Sequence, residues 1–110
     1  MAKNMVEEIS EKEFNKIINN SKNSIVLIDF FAEWCTPCLM MAPVIEELSG
    51  KFKKVKFAKV NIDENSELAG RFKVMSIPCL IVFKNGKEID RVIGAQQAEM
   101  IEEKLEKYLS

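Results

Sequence analysis

The sequence predicts an α/β fold with a central mixed five-stranded sheet flanked by four helices. Apolar runs of strand length alternate with segments whose apolar residues recur every three or four positions, which is typical of strands alternating with helices. Two later apolar segments flank Asn85-Gly86, a strong signal for an antiparallel hairpin, so the sheet should be mixed. At 110 residues, the chain is expected to form one domain over 1–110.

The first part of the chain predicts a strand, a helix and a second strand. Residues 5–9 indicate a brief edge strand, which two glutamates interrupt. Ser10 followed by Glu13 forms a capping box, and apolar residues at helical spacing follow it as far as a polar stretch at 19–21. Residues 24–31 are almost continuously apolar, which is the pattern of a central strand covered on both faces.

A long helix is expected to start at Cys35 and to end near Gly50, because apolar residues recur at three and four positions along this segment. Pro43 lies inside it. Since proline lacks an N–H and crowds the carbonyl four residues back, we expect a kink near Leu39.

The second half predicts a strand over 55–61, a short helix over 66–72, and hairpin strands over 79–83 and 88–93. Asparagine and glycine suit the turn between the last two strands because both tolerate positive φ. A C-terminal amphipathic helix follows, with its apolar face on Ala98, Ile101, Leu105 and Tyr108 or Leu109.

Composition excludes several classes of function. The chain has 16 basic and 17 acidic residues, and no block of like charge suggests a nucleic-acid or anionic-membrane partner. Its first residues lack the apolar core of a secretory signal, and no apolar run approaches the roughly 20 residues that cross a bilayer. We therefore expect a cytoplasmic protein. The absence of histidine excludes Cys-His and Ser-His nucleophile pairs and mixed Cys/His zinc sites.

Two of the three cysteines stand close together, in Cys35-Thr36-Pro37-Cys38. In a reducing compartment such a pair is catalytic or metal-binding. Disulfide exchange needs a thiolate that attacks and a second thiol that releases the mixed disulfide, and this spacing across a helix's first turn supplies both. The amides and the dipole at that turn favour a thiolate on Cys35 and lower its pKa. Pro37 suits a helix's first turn and fixes the placement of the two sulfurs.

Several ordered motifs along the chain make the similarity to one family specific. They are Asp29-Phe30-Phe31-Ala32-Glu33-Trp34-Cys35-Thr36-Pro37-Cys38, Asn61-Ile62-Asp63, Ser76-Ile77-Pro78, Phe83-Lys84-Asn85-Gly86 and Gly94-Ala95. With them the chain resembles the thioredoxin family over essentially its full length. The resemblance implies the thioredoxin fold and a protein disulfide reductase in which Cys35 attacks and Cys38 resolves. It also implies no cofactor in this chain, disulfide-containing client proteins, a separate thioredoxin reductase, usually a flavoprotein, and a monomer.

Asp29 interrupts an apolar strand six residues before Cys35, where an unpaired carboxylate is costly and its pKa should rise. A raised pKa suits a general base. By resemblance Asp29 takes the proton of Cys38 during resolution, and Lys59 on the adjacent strand tunes it. The alternative is an aspartate at the edge of the sheet facing water.

The resemblance assigns further residues to the site. The Ile77-Pro78 bond is cis in the family and faces the cysteines, and the backbone of Ile77 pairs with an extended client segment. Trp34 offers clients a flat apolar surface beside Thr36 and Pro37. Three alternatives stay open: Pro78 as an ordinary turn proline, Trp34 as a core residue, and Gly94 as a turn glycine instead of a site of close backbone approach.

Three residues depart from the family's usual pattern. Thr36 stands where glycine is most common, which reduces backbone freedom and adds a hydroxyl beside Cys35. Leu39 replaces a basic residue, which implies a more apolar docking face. Cys79 replaces a threonine directly after Pro78. It is either a small buried hydrophobe or a regulatory thiol near the site.

Two other functions compete with a thioredoxin activity. A glutaredoxin-like thiol transferase is disfavoured by the N-terminal strand and helix, by Thr36-Pro37 and by the lack of a Gly-Gly-x-Asp signature after Pro78. The other is a non-catalytic module in which the cysteine pair holds zinc or an iron–sulfur cluster across a dimer, or which serves only as an interaction surface.

Overall fold

The computed structural model describes residues 6–110. The strands are β1 (Glu7–Glu8), β2 (Ile25–Phe31), β3 (Val55–Asn61), β4 (Cys79–Lys84) and β5 (Lys87–Ile93). The helices are α1 (Glu11–Asn19), α2 (Thr36–Lys51), α3 (Ser66–Arg71) and α4 (Ala98–Leu109). Over the described residues, the order of elements is therefore the one that the sequence predicts.

The strands form a mixed sheet in the order β1-β3-β2-β4-β5. β1 and β2 both pair with β3 in parallel, whereas β4 runs antiparallel to β2 and to β5. The central position of β2 confirms the interpretation of its apolar run, because its neighbours lie on both sides and side chains on both of its faces are buried. The end of β2 is where the cysteine motif begins.

Two apolar clusters cover the two faces of the sheet. On one face, Ile25 and Leu27 of β2 pack with side chains from α2 and α4, namely Met41, Ile45, Leu48, Ile101 and Leu105. On the other face, Val26, Ile28 and Phe30 pack with Phe14 of α1 and Leu68 of α3. Because successive side chains of a strand point to opposite faces, this division fixes the face on which each residue near the site lies.

Local signals in the sequence are confirmed at both ends of the sheet. Ser10 and Glu13 form the capping box, with the Glu13 N–H donating to Ser10 Oγ and the Ser10 N–H donating to Glu13 Oε1 at 2.9 Å. Asn85 and Gly86 have φ values of 54° and 80°, which the turn between β4 and β5 requires.

The differences lie at the ends of elements. β1 contains only two residues where 5–9 was predicted, and Met5 lies outside the described residues. α3 ends at Arg71, one residue before the predicted end, and Lys73 then turns the chain with a φ of 53°. Pro43 lies inside α2 as expected, while the kink near Leu39 stays a prediction. Among the described residues, no helix combines the length and apolar character needed to span a membrane.

Candidate active site

The cysteine pair lies where β2 passes into α2. Cys35 is the N-cap of α2 and is disulfide-bonded to Cys38 in the helix's first turn, with a Cα–Cα distance of 5.3 Å. Each of the two residues is only 4% exposed. The strand–helix junction and the pairing that the sequence predicts are therefore both present.

The first turn of α2 supplies a hydrogen bond to Cys35 Sγ. The backbone N–H of Cys38 donates to Cys35 Sγ at 3.2 Å. Pro37 lies in the same turn, where a backbone N–H would have no partner within the helix, so its lack of an N–H costs no hydrogen bond. Thr36 is the first residue of the helix and is exposed. Negative charge on Cys35 Sγ is stabilised by such an amide and by the positive end of the helix dipole.

The loop before β4 faces the cysteines. The Ile77-Pro78 bond is cis, which the sequence alone left open, and the carbonyl oxygen of Ile77 lies 3.8 Å from Cys35 Sγ. Ile77 also packs against the small apolar cluster that contains both cysteines. Pro78 therefore lies in a loop that borders the disulfide.

Gly94 is tied to the same loop. Its N–H donates to the carbonyl oxygen of Pro78 at 2.8 Å, and its φ is +82°, which favours glycine. A Cβ built on Gly94 has no atom within 4 Å. Within the described residues, backbone conformation and not crowding explains this glycine.

Asp29 is buried in β2 with only 5% exposure, and its Oδ1 has no hydrogen-bond partner among the described residues. Burial raises the pKa of its carboxyl to about 7, although the charge of Lys59, its neighbour in the β2–β3 register, lowers the pKa to a smaller extent. The predicted direction of the pKa shift is thus confirmed. The alternative of a water-facing aspartate at the sheet edge is wrong, because β2 is central.

Trp34 is exposed, not part of the core, with 68% of its surface accessible. Its Nε1–H donates to Asp63 Oδ2 at 2.8 Å. Asp63 belongs to the motif Asn61-Ile62-Asp63, but the sequence alone assigns it no role. An acidic residue two positions after a strand was the available signal, but its hydrogen-bond partner 29 positions earlier was not predictable from spacing.

The helix surface next to the cysteines is apolar. Leu39 and Met40 are both exposed in the first turns of α2, so the departure at Leu39 lies at the surface as the docking-face interpretation requires. Met41 instead packs into the core. Across the described residues, no group of three or more cysteine or acidic side chains is placed to hold a metal ion.

Cys79 lies on the other face of the sheet from Asp29. It pairs in register with Phe30 and packs in the same cluster, whereas Leu80, which pairs with Asp29, packs on the opposite face. Burial raises the pKa of the Cys79 thiol and so disfavours the reactive thiolate. This environment supports the interpretation of Cys79 as a small buried hydrophobe.

Mild oxidation of the reduced protein with hydrogen peroxide should therefore produce the Cys35–Cys38 disulfide and leave Cys79 as a thiol. Differential alkylation followed by mass spectrometry measures both. Unfolding in denaturant before oxidation is the control and should make Cys79 reactive. Modification of Cys79 in the folded protein at a rate near that of the pair would support the regulatory interpretation instead.

Comparison with known proteins shows which family shares this arrangement. The thioredoxin family model matches residues 5–107. The thioredoxin of Staphylococcus saprophyticus is 48% identical over 92 residues, which are 83% of this chain and 88% of that protein. The thioredoxin of Chlamydia pneumoniae is 43% identical over 104 residues, covering 94% of this chain and 99% of that protein.

The likeness extends to three-dimensional structure. The solved structure of Plasmodium falciparum thioredoxin superposes with a TM-score of 0.86 at 39% sequence identity. The match covers 94% of this chain and 99% of that chain. The similarity therefore includes the sheet, the flanking helices and the junction that carries the cysteine pair.

Proposed function

The chain belongs to the thioredoxin family and is a thiol–disulfide oxidoreductase, and on this premise we propose that it reduces protein disulfides with Cys35 as attacking and Cys38 as resolving thiol. The observation that carries this division of roles is the hydrogen bond from the Cys38 N–H to Cys35 Sγ. Once the disulfide is reduced, this N–H stabilises negative charge on the sulfur of Cys35, the residue at the helix N-cap. The match to thioredoxins also favours this activity over that of a glutaredoxin-like thiol transferase.

The reaction consists of two exchanges. The Cys35 thiolate attacks one sulfur of the client disulfide, and a Cys35–client bond forms while the other client sulfur leaves as a thiolate and takes a proton. Cys38 then attacks Cys35 Sγ and releases the second client thiol. The client gains two electrons and two protons, and the Cys35–Cys38 disulfide forms.

Asp29 serves the second exchange as general base. A carboxyl whose pKa is about 7 is partly deprotonated near neutral pH and can accept the proton of Cys38. Lys59 lowers the pKa of Asp29 and thereby keeps a larger fraction of the carboxyl ionised. Burial and the neighbouring cation thus set the pH range in which resolution is efficient.

The client binds around the disulfide. Trp34, Thr36 and Pro37 form one side of this surface, and the loop of Ile77 and Pro78, with Gly94, forms the other. The carbonyl of Ile77, 3.8 Å from Cys35 Sγ, supports strand-like pairing between the loop backbone and an extended client segment. Backbone pairing gives affinity with little dependence on the client's side chains.

The remaining expectations complete the proposal. Disulfide-containing proteins are the clients, and a separate thioredoxin reductase returns the electrons, so that the chain acts as an electron carrier. It needs no cofactor of its own, acts as a monomer and a single domain over 1–110, and binds neither nucleic acid nor membrane. The chain has one redox-active cysteine pair and one further cysteine, Cys79, that is a free and buried thiol, and this use of cysteine suits the reducing cytoplasm.

Reduction of insulin driven by dithiothreitol tests the proposed function. We expect wild type to accelerate insulin precipitation, Cys35→Ser to match the rate without protein, and Cys79→Ala to retain the wild-type rate, because only the first substitution removes the attacking sulfur. Metal analysis and a visible spectrum of the same preparation accompany the assay. Stoichiometric metal without reductase activity would support the metal-binding module instead.

A further inference from the structure

The orientation of Trp34 depends on a polar contact. The side chain is 68% exposed, so core packing covers little of it, and the hydrogen bond from Nε1 to Asp63 Oδ2 at 2.8 Å is its link to the turn after β3. Any contact that fixes the conformation of that turn therefore influences where the indole lies relative to Cys35.

The side chain of Asn61 holds the turn after β3 through hydrogen bonds to its backbone. Its side chain is almost fully buried, with 4% of the residue exposed, and its Oδ1 accepts the backbone N–H groups of Asp63 at 2.9 Å and Glu64 at 3.4 Å. Asparagine is suited to this role because its short side chain bonds the backbone two residues ahead.

Both ends of this arrangement are anchored. Asn61 is the last residue of β3 and pairs with Phe31, the last residue of β2 before the cysteine motif. Asn65 donates to the carbonyl oxygen of Asn61 through its backbone at 3.0 Å and through Nδ2 at 3.1 Å. Asn65 Oδ1 in turn accepts the N–H of Glu11 at the start of α1, at 3.1 Å. The turn is thus attached to the rigid scaffold on two sides.

We propose that Asn61 is a positioning residue for client reduction: its Oδ1 fixes the turn that presents Asp63, and Asp63 orients Trp34 beside Cys35. The inference rests on the proposed function, in which Trp34 contacts the client. Asn61 itself touches neither the sulfurs nor the client. Its effect should therefore fall on the recognition of large substrates and not on the chemistry of Cys35.

The test compares Asn61→Ala with Asn61→Asp, which retains an acceptor for both N–H groups. We expect Asn61→Ala to lower kcat/KM for insulin about fivefold, mainly through KM, since both hydrogen bonds that Oδ1 accepts from the turn are lost. Single-turnover reduction of 5,5′-dithiobis(2-nitrobenzoate), a small disulfide, should stay within about twofold of wild type. Because Trp34 is the only tryptophan, fluorescence anisotropy reports its mobility, which should increase in Asn61→Ala and not in Asn61→Asp.

A double-mutant cycle shows whether Asn61 acts through Asp63. In an Asp63→Ala background, Asn61→Ala should cause less than about a twofold further loss for insulin, because the contact it supports is already absent. A further fivefold loss there, equal losses on both substrates, or unchanged Trp34 anisotropy would overturn the proposal. Circular dichroism confirms folding, and Asn61→Leu, which has nearly the same size and no acceptor, replaces Asn61→Ala if the latter is unfolded at the assay temperature. Failure of wild type to reduce insulin would instead refute the proposed function.

Discussion

Asp29→Asn should raise the free energy of unfolding of the oxidised protein by about 4 kcal/mol at pH 8 and leave it nearly unchanged at pH 4. The carboxyl binds its proton more tightly in the folded chain, where its pKa is about 7, than in the unfolded chain, where its pKa has the ordinary value of 3.8. The stability that the protonated Asp29 carboxyl contributes is therefore fully present below pH 3.8 and declines as the pH rises through 7. An amide at this position does not ionise and avoids the loss.

Chemical denaturation at the two pH values measures this difference. Glu33→Gln is the matched control, because it removes an exposed carboxylate next to the site and should change stability by less than about 0.5 kcal/mol at both pH values. Equal stabilisation by Asp29→Asn at pH 4 and pH 8, or destabilisation at pH 8, would show that burial does not raise the pKa as described.

The same substitution should slow catalysis while it stabilises the fold. Without a base for Cys38, resolution of the mixed disulfide should be at least about tenfold slower at pH 7. Opposite effects on stability and activity are expected where a group is retained for its chemistry and not for packing.

Cys38→Ser should end multiple turnover and stop the reaction at the mixed disulfide. Cys35 still attacks, but a serine hydroxyl does not displace the client sulfur from Cys35 Sγ, so each protein molecule should react with one client disulfide. Mixing with a disulfide-containing peptide in the absence of reductant and following thiol release gives this stoichiometry. Because dithiothreitol can itself displace the client sulfur from Cys35, the steady-state assay uses a thioredoxin reductase in its place, and the loss of insulin reduction there should be essentially complete.

The double variant Cys38→Ser/Cys79→Ala is the control, because it leaves Cys35 as the chain's remaining cysteine. It should accumulate the same adduct at the same rate. Turnover by Cys38→Ser at more than a few per cent of the wild-type rate would mean that a second client thiol or Cys79 resolves the intermediate.

Elements with strong local signals were predictable from the sequence. The apolar run of β2, the capping box before α1 and the Asn85-Gly86 turn each follow from short-range chemistry, and each is present. The extent of β1 was not, because pairing with β3 and not propensity determines which residues of 5–9 are in the sheet. The end of α3 lies one residue before the predicted end because the chain turns at Lys73, which has a left-handed conformation without being the glycine or asparagine that would have indicated it.

The site was predictable as far as it is local. A carboxylate in an apolar strand indicated the burial and the raised pKa of Asp29, and the motif placed Cys35 at a helix N-terminus. The tether of Trp34 to Asp63 was not predictable, because it joins residues that only the β2–β3 pairing brings together. The face on which Cys79 lies likewise depends on the β2–β4 register, which a sequence pattern does not supply.

Peptide mapping of the adduct of Cys38→Ser with a disulfide-containing peptide tests the assignment of the attacking thiol most directly. After digestion without reductant, mass spectrometry should find the client cysteine linked to Cys35, with Cys79 free. Cys35→Ser treated in the same way should give no adduct. An adduct on Cys79 in the first variant, or one on Cys38 in the second at a comparable rate, would contradict the roles proposed for the pair.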